Sequence, residues 1–156
     1  MMQLAKAFRL SVILFGLAPL VDAGDVASGQ AYCDWRVKDL AIEQPLCNLP
    51  GDPERGRVLA ADSHAGNCLA CHRMPIPEES FHGTLGPPLD AVGSRYTAAQ
   101  IRLRIVDEQQ VNPMTIMPGF YRDPKLANRM ADEFWGKTFL TAQQVEDLVA
   151  YLVTLK

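Results

Sequence analysis

Three observations predict an all-α fold of about four helices. Thr97 with Gln100 and Thr141 with Gln144 are capping boxes, the signature of helix starts. Val145, Leu148, Val149, Leu152 and Leu155 recur at the spacing of one helical face. No stretch shows the apolar–polar alternation of a half-buried strand. The segments between the helical patterns are long and rich in proline and glycine. So loop-rich a chain of 156 residues has little core of its own, and something else must be buried among its helices.

Residues 1–23 carry Lys6 and Arg9, an apolar run from Leu10 to Leu20, and then Val21-Asp22-Ala23. A basic start, a short apolar stretch and slim residues before a cut are the layout of a secretory signal peptide. The run of about eleven residues falls short of the ~20 a spanning helix takes, so no stable membrane anchor is expected. An uncleaved anchor is the alternative. Export would place the chain in the periplasm. Cleavage would remove Lys6, Arg9 and Asp22, leaving the rest one unit more negative than the −3 of the whole chain. A mildly acidic protein without basic runs argues against nucleic acid as a partner.

Residues 24–51 read as an N-terminal extension. Cys33 and Cys47 enclose a short loop, and in an oxidising compartment a disulfide is expected, with two unpaired thiols the alternative. Closing about fifteen residues would stabilise by roughly 3 kcal/mol. Ala31–Ile42 is expected to hold one helix, anchored by Trp35 and Leu40 and broken by Pro45, Pro50 and Gly51.

Residues 52–156 form the domain proper. Asp52-Pro53-Glu54 opens its first clear helix: a capping carboxylate, a proline at the first helical position and an acid on the positive dipole end. Gly56 inside this helix costs about 1 kcal/mol relative to Ala, which is explicable if the last helix crosses there, with Tyr151 over it. Met74 to Pro88 is loop. The helix capped by Thr97 carries Ile101, Ile105 and Val106 and ends before Asn112-Pro113. Asp123-Pro124 opens a weaker one bearing Leu126, Met130 and Phe134.

Between the first two of these lies Cys68-Leu69-Ala70-Cys71-His72, the attachment pattern of a c-type haem. Two thiols three apart reach the two porphyrin vinyls from one turn, and the next residue offers an imidazole to the iron. A zinc site would want a second ligand pair, and none follows; a thioredoxin-type motif would want a preceding strand. One covalent haem c, held by Cys68 and Cys71 with His72 on the iron, is therefore expected. It also supplies the missing apolar mass.

The second axial ligand is sought on a distant loop. His64 and Met74 lie too near the attachment turn in sequence, and Met130 falls on an apolar helical stripe. Asn112-Pro113-Met114-Thr115-Ile116-Met117-Pro118 is held stiff by its prolines and suits a presented ligand; Met117 is preferred, with Met114 and then His82 as alternatives. His/Met ligation raises the potential relative to bis-His and fits electron transfer. The other ring nitrogen of His72 needs an acceptor, for which the Pro87 carbonyl in Gly86-Pro87-Pro88-Leu89 is the candidate. Arg95 and Tyr96 are candidate contacts for a haem propionate, an ordinary solvated face being the alternative.

In this order, these motifs resemble the class I cytochrome c family over residues 52–156. More narrowly, Asn112-Pro113-x-Thr115-x-Met117-Pro118 and Gly136-Lys137-x-x-Leu140-Thr141-Ala142-Gln143-Gln144 resemble the SoxX family, the small monohaem subunits of the SoxAX complexes of bacterial thiosulfate oxidation. The resemblance implies a heterodimer with a SoxA-like cytochrome subunit. It implies oxidative joining of thiosulfate to a cysteine of a SoxYZ-like carrier protein, and electrons leaving to a soluble cytochrome c. This chain has no third cysteine suited to the catalytic ligand assigned to SoxA, so it would relay electrons rather than catalyse. A free-standing cytochrome c shuttle serving an oxidase or reductase is the rival reading.

Overall fold

The computed structural model describes residues 32–126, 131–132 and 135–156. Among them lie four α-helices: α1 (Pro53–Ala61), α2 (Val92–Arg95), α3 (Ala98–Asp107) and α4 (Ala142–Leu152), with short 3-10 turns between. There is no strand among the described residues, only one isolated bridge, Lys38 to Ala41.

The helices start where the side chains dictate. The Asp52 carboxylate accepts from the backbone N–H groups of Glu54 and Arg55 at 2.9 and 3.0 Å, and Pro53 is the first helical residue. Both capping boxes form, at Thr97–Gln100 and at Thr141–Gln144, each with its reciprocal pair of bonds. α1 and α4 cross at Gly56, where a Cβ would come within 2.9 Å of the Tyr151 Cβ and press on the Asp147 carbonyl. The glycine is thus a packing requirement. The crossing is pinned by Arg55, whose Nε and Nη2 each donate to the Asp147 carboxylate at 2.8 Å. Leu103 and Val106 on α3 and Val145 on α4 are wholly buried, and α3 packs against α4.

The extension differs from expectation. No helix forms over Ala31–Ile42 among its described residues. Asp39 and Leu40 both have positive φ, 50° and 55°, and Lys38 and Ala41 exchange hydrogen bonds at 2.9 Å across them. Two successive positive φ values make a tight reversal of the type I′ kind, which no helix contains. Leu40, at the tip, is exposed and anchors nothing; Ala41, Ile42 and Leu46 are buried instead. Trp35 does anchor, its indole N–H donating to the Tyr121 carbonyl at 3.2 Å. The Cys33–Cys47 disulfide closes the segment.

The strap so formed is bolted to the domain by buried charge. Arg102 on α3 donates from Nε and Nη2 to Glu146 on α4 at 2.8 and 2.9 Å, and from Nη1 to the Ile42 carbonyl at 2.7 Å. Glu146 also accepts the Leu46 N–H at 2.8 Å. Both ions are nearly inaccessible, and each nitrogen of the guanidinium and both oxygens of the carboxylate have a partner, the condition under which buried charge is tolerated. The helix expected from Asp123 is reduced to a 3-10 turn, Pro124–Leu126; Met130 and Phe134 lie outside the described residues.

Candidate haem site

Cys68 and Cys71 bracket a single 3-10 turn, Cys68–Ala70, that leaves α1 through Asn67 in the left-handed conformation (φ 48°). The His72 N–H continues the turn by donating to the Cys68 carbonyl at 2.9 Å. Neither cysteine is in a disulfide. Burial pushes the Cys68 thiol up to about 12, so it stays neutral.

His72 is set by the next loop. Its Nδ1 lies 2.7 Å from the Pro87 carbonyl oxygen. A carbonyl only accepts, so Nδ1 carries the proton and Nε2 keeps its lone pair. Gly86 lies flat against the ring: a Cβ there would stand 2.6 Å from Nδ1 and 2.8 Å from Nε2. The loop is tied to the attachment turn by Gly86 N–H to the Cys71 carbonyl, 2.8 Å, and Gly83 N–H to the Leu69 carbonyl, 2.7 Å. Arg95 is exposed and donates to the Pro88 carbonyl at 2.7 Å, bracing the same loop. Tyr96 instead carries the Arg104 guanidinium over its ring, 4.3 Å from the centroid.

The ligand candidates separate by surroundings. Met74 is buried in the apolar core. His82 has both ring nitrogens engaged: Nδ1 accepts the Met74 N–H at 3.1 Å, while Nε2 faces the Ile76 and Glu79 carbonyls at 3.2 and 3.1 Å. It staples its own loop and has no lone pair for a metal. Met114 is 87% exposed, whereas Met117 is half-buried, its N–H held by the Thr115 hydroxyl at 3.1 Å. The turn before it is fixed by Thr115 N–H to the Asn112 carbonyl, 3.0 Å, and Met114 N–H to the Asn112 side chain, 3.1 Å.

These residues fit a covalently attached haem. The donor set comprises two unbridged cysteines on one turn and an imidazole whose tautomer frees Nε2. Leu85 and Ile116, on the two loops concerned, are exposed apolar side chains that such a group would cover. The Tyr151 hydroxyl is buried without a partner, and that burial raises its pKa. The sequence had singled out Cys68, Cys71, His72, Pro87 and Met117. It had missed Gly86 as the seat of the ring and Thr115 as the tether of Met117, although both stand inside motifs already noted.

All-α helices crossing at a glycine, with this attachment turn and this seated histidine, define a c-type cytochrome. The chain belongs to the cytochrome c family, whose profile matches residues 53–156. Covalently bound haem c is its cofactor. Among solved structures it is similar to SoxXA from P. pantotrophus, at 39% sequence identity with a TM-score of 0.71. That match covers 78% of this chain and 94% of the other. No curated protein matches the sequence. No helix among the described residues is long and apolar enough to cross a membrane.

Proposed function

We propose that this cytochrome is the small electron-relay subunit of a SoxAX-type complex that joins thiosulfate oxidatively to a carrier-protein cysteine. The likeness to SoxXA over nearly the whole of the matched chain is the observation that carries this reading. Cys68 and Cys71 would hold the haem through thioethers, and His72 Nε2 and the Met117 sulfur would be offered to its iron. Bound there, the haem supplies a one-electron couple. The protein's part is to fix that couple. Pro87 orients His72 and raises its basicity. Arg95, fixed by the Pro88 carbonyl, is the cation offered to a propionate.

Residues 1–23 direct export to the periplasm, where the Cys33–Cys47 bridge persists. Residues 32–51 of the extension then serve as an integral strap on the cytochrome domain, 52–156. A SoxA-like subunit is the permanent partner and the bearer of the catalytic centre. A SoxYZ-like carrier brings the substrate cysteine, and a soluble cytochrome c takes the electrons onward. A thioether from Met117 beside the His72 imidazole would favour electron transfer at this site. Co-expression with the SoxA-like subunit tests this. One complex carrying haem from both chains through size exclusion is expected, whereas two separate cytochromes would favour the free-standing shuttle.

A further inference from the structure

We propose that Arg122, clamped between Asp107 and the backbone of Gly119, is a positioning residue that holds the Met117 loop in its ligand-presenting shape. The inference rests on the reading of Met117 as axial ligand and concerns what keeps it there. Beyond Met117 the chain is stitched to the end of α3 by Phe120 N–H to the Ile105 carbonyl, 3.1 Å, and Tyr121 N–H to the Val106 carbonyl, 3.2 Å. Before it, the Asn112–Thr115 turn is fixed by Asn112 N–H to the Glu108 carbonyl at 2.8 Å. Residues 116–119 bridge these anchors, and Gly119 is the point where a side chain reaches their backbone.

The Arg122 side chain lies flat on buried Gly119: a Cβ there would stand 2.9 Å from both Cγ and Cδ and would strike Nε. Arg122 Nε is itself buried with no hydrogen-bond partner, so the guanidinium keeps this position at the expense of a donor. Its Nη2 pairs with Asp107. Asp107 is 5% exposed and is itself immobilised, accepting from the Gln109 N–H at 3.2 Å and the Gln110 amide at 3.0 Å. A rigid acid thus fixes an arginine, and the arginine fixes the one residue where the loop's backbone is bare. A loop so braced resists displacement of its methionine by a competing ligand.

Imidazole titration of the oxidised holoprotein, followed by loss of the sulfur-to-iron charge-transfer band, tests the clamp. Arg122→Ala should lower the apparent imidazole Kd about tenfold, the effect of losing one charge-assisted bond. Asp107→Asn should act in the same direction if Arg122→Ala does not accumulate. Gly119→Ala should match Arg122→Ala, yet add nothing in an Arg122→Ala background, where its methyl has no side chain to strike. Wild-type affinity in these variants, or simple addition of the two effects, would overturn the clamp. Met117→Ala separates the two levels. A band surviving in that variant removes the ligand reading and the proposal with it. A band lost there, with wild-type imidazole binding in Arg122→Ala, removes the clamp alone.

Discussion

At the scale of single residues, the site depends on what presses against His72. The Pro87 carbonyl takes the Nδ1 proton, and Gly86 leaves no room for a methyl beside the ring. Gly86→Ala should therefore push the imidazole off its acceptor. A histidine that loses this bond is a poorer donor to iron, which stabilises the ferrous form and raises the reduction potential. A hydrogen bond worth about 1 kcal/mol corresponds to roughly 40 mV for one electron, the shift expected by spectroelectrochemical titration. An unchanged potential would mean that the bond does not tune the iron. Cys68, Cys71 and His72 were legible because their chemistry requires fixed residue types at fixed spacing; Pro87 acts through its backbone carbonyl and was legible only from its proline-rich loop. Arg122, Asp107 and Gly119 were not, since each is an ordinary residue alone and only the fold brings them together.

At the scale of elements, the helices that begin with a capping box could be read directly, because a cap is a local device. The strap could not. Its reversal rests on positive φ at Asp39 and Leu40, residue types that carry no glycine signal, and its attachment runs through Glu146, a hundred residues from Leu46. Arg102→Met should leave Glu146 buried and unpaired and cost about 3–5 kcal/mol in denaturant unfolding. Changing both partners to apolar residues should recover only part of this, because the Ile42 carbonyl and the Leu46 N–H would then lose their partners. Full recovery would show that the ion pair, and not the strap it holds, carries the effect.

For the whole molecule, strap and domain form one packed body, and its alkaline stability reports the joint. Tyr32 stacks on Tyr121 with ring centroids 5.1 Å apart, and the Tyr121 hydroxyl accepts the Cys33 N–H at 2.8 Å. Burial, helped by nearby Asp123, raises Tyr32 to about 12, and burial raises Tyr121 as well. A folded-state pKa above the unfolded value adds stability that is whole below the unfolded pKa and disappears as pH rises through the folded one. Denaturant midpoints should accordingly hold up to pH 10 and fall between 10 and about 12, and Tyr32→Phe should flatten that fall. A midpoint independent of pH across this window would mean that the ring pair is not part of the cooperative unit.

On the proposed function the same body hands electrons on while a partner does the chemistry, and one measurement addresses that directly. The oxidised cytochrome is mixed with thiosulfate, first alone and then with the SoxA-like subunit and the SoxYZ-like carrier, and its haem absorption is followed in time. Haem reduction only in the complete mixture is the predicted result. Reduction by thiosulfate with this chain alone, or none in the complete mixture, would contradict the relay.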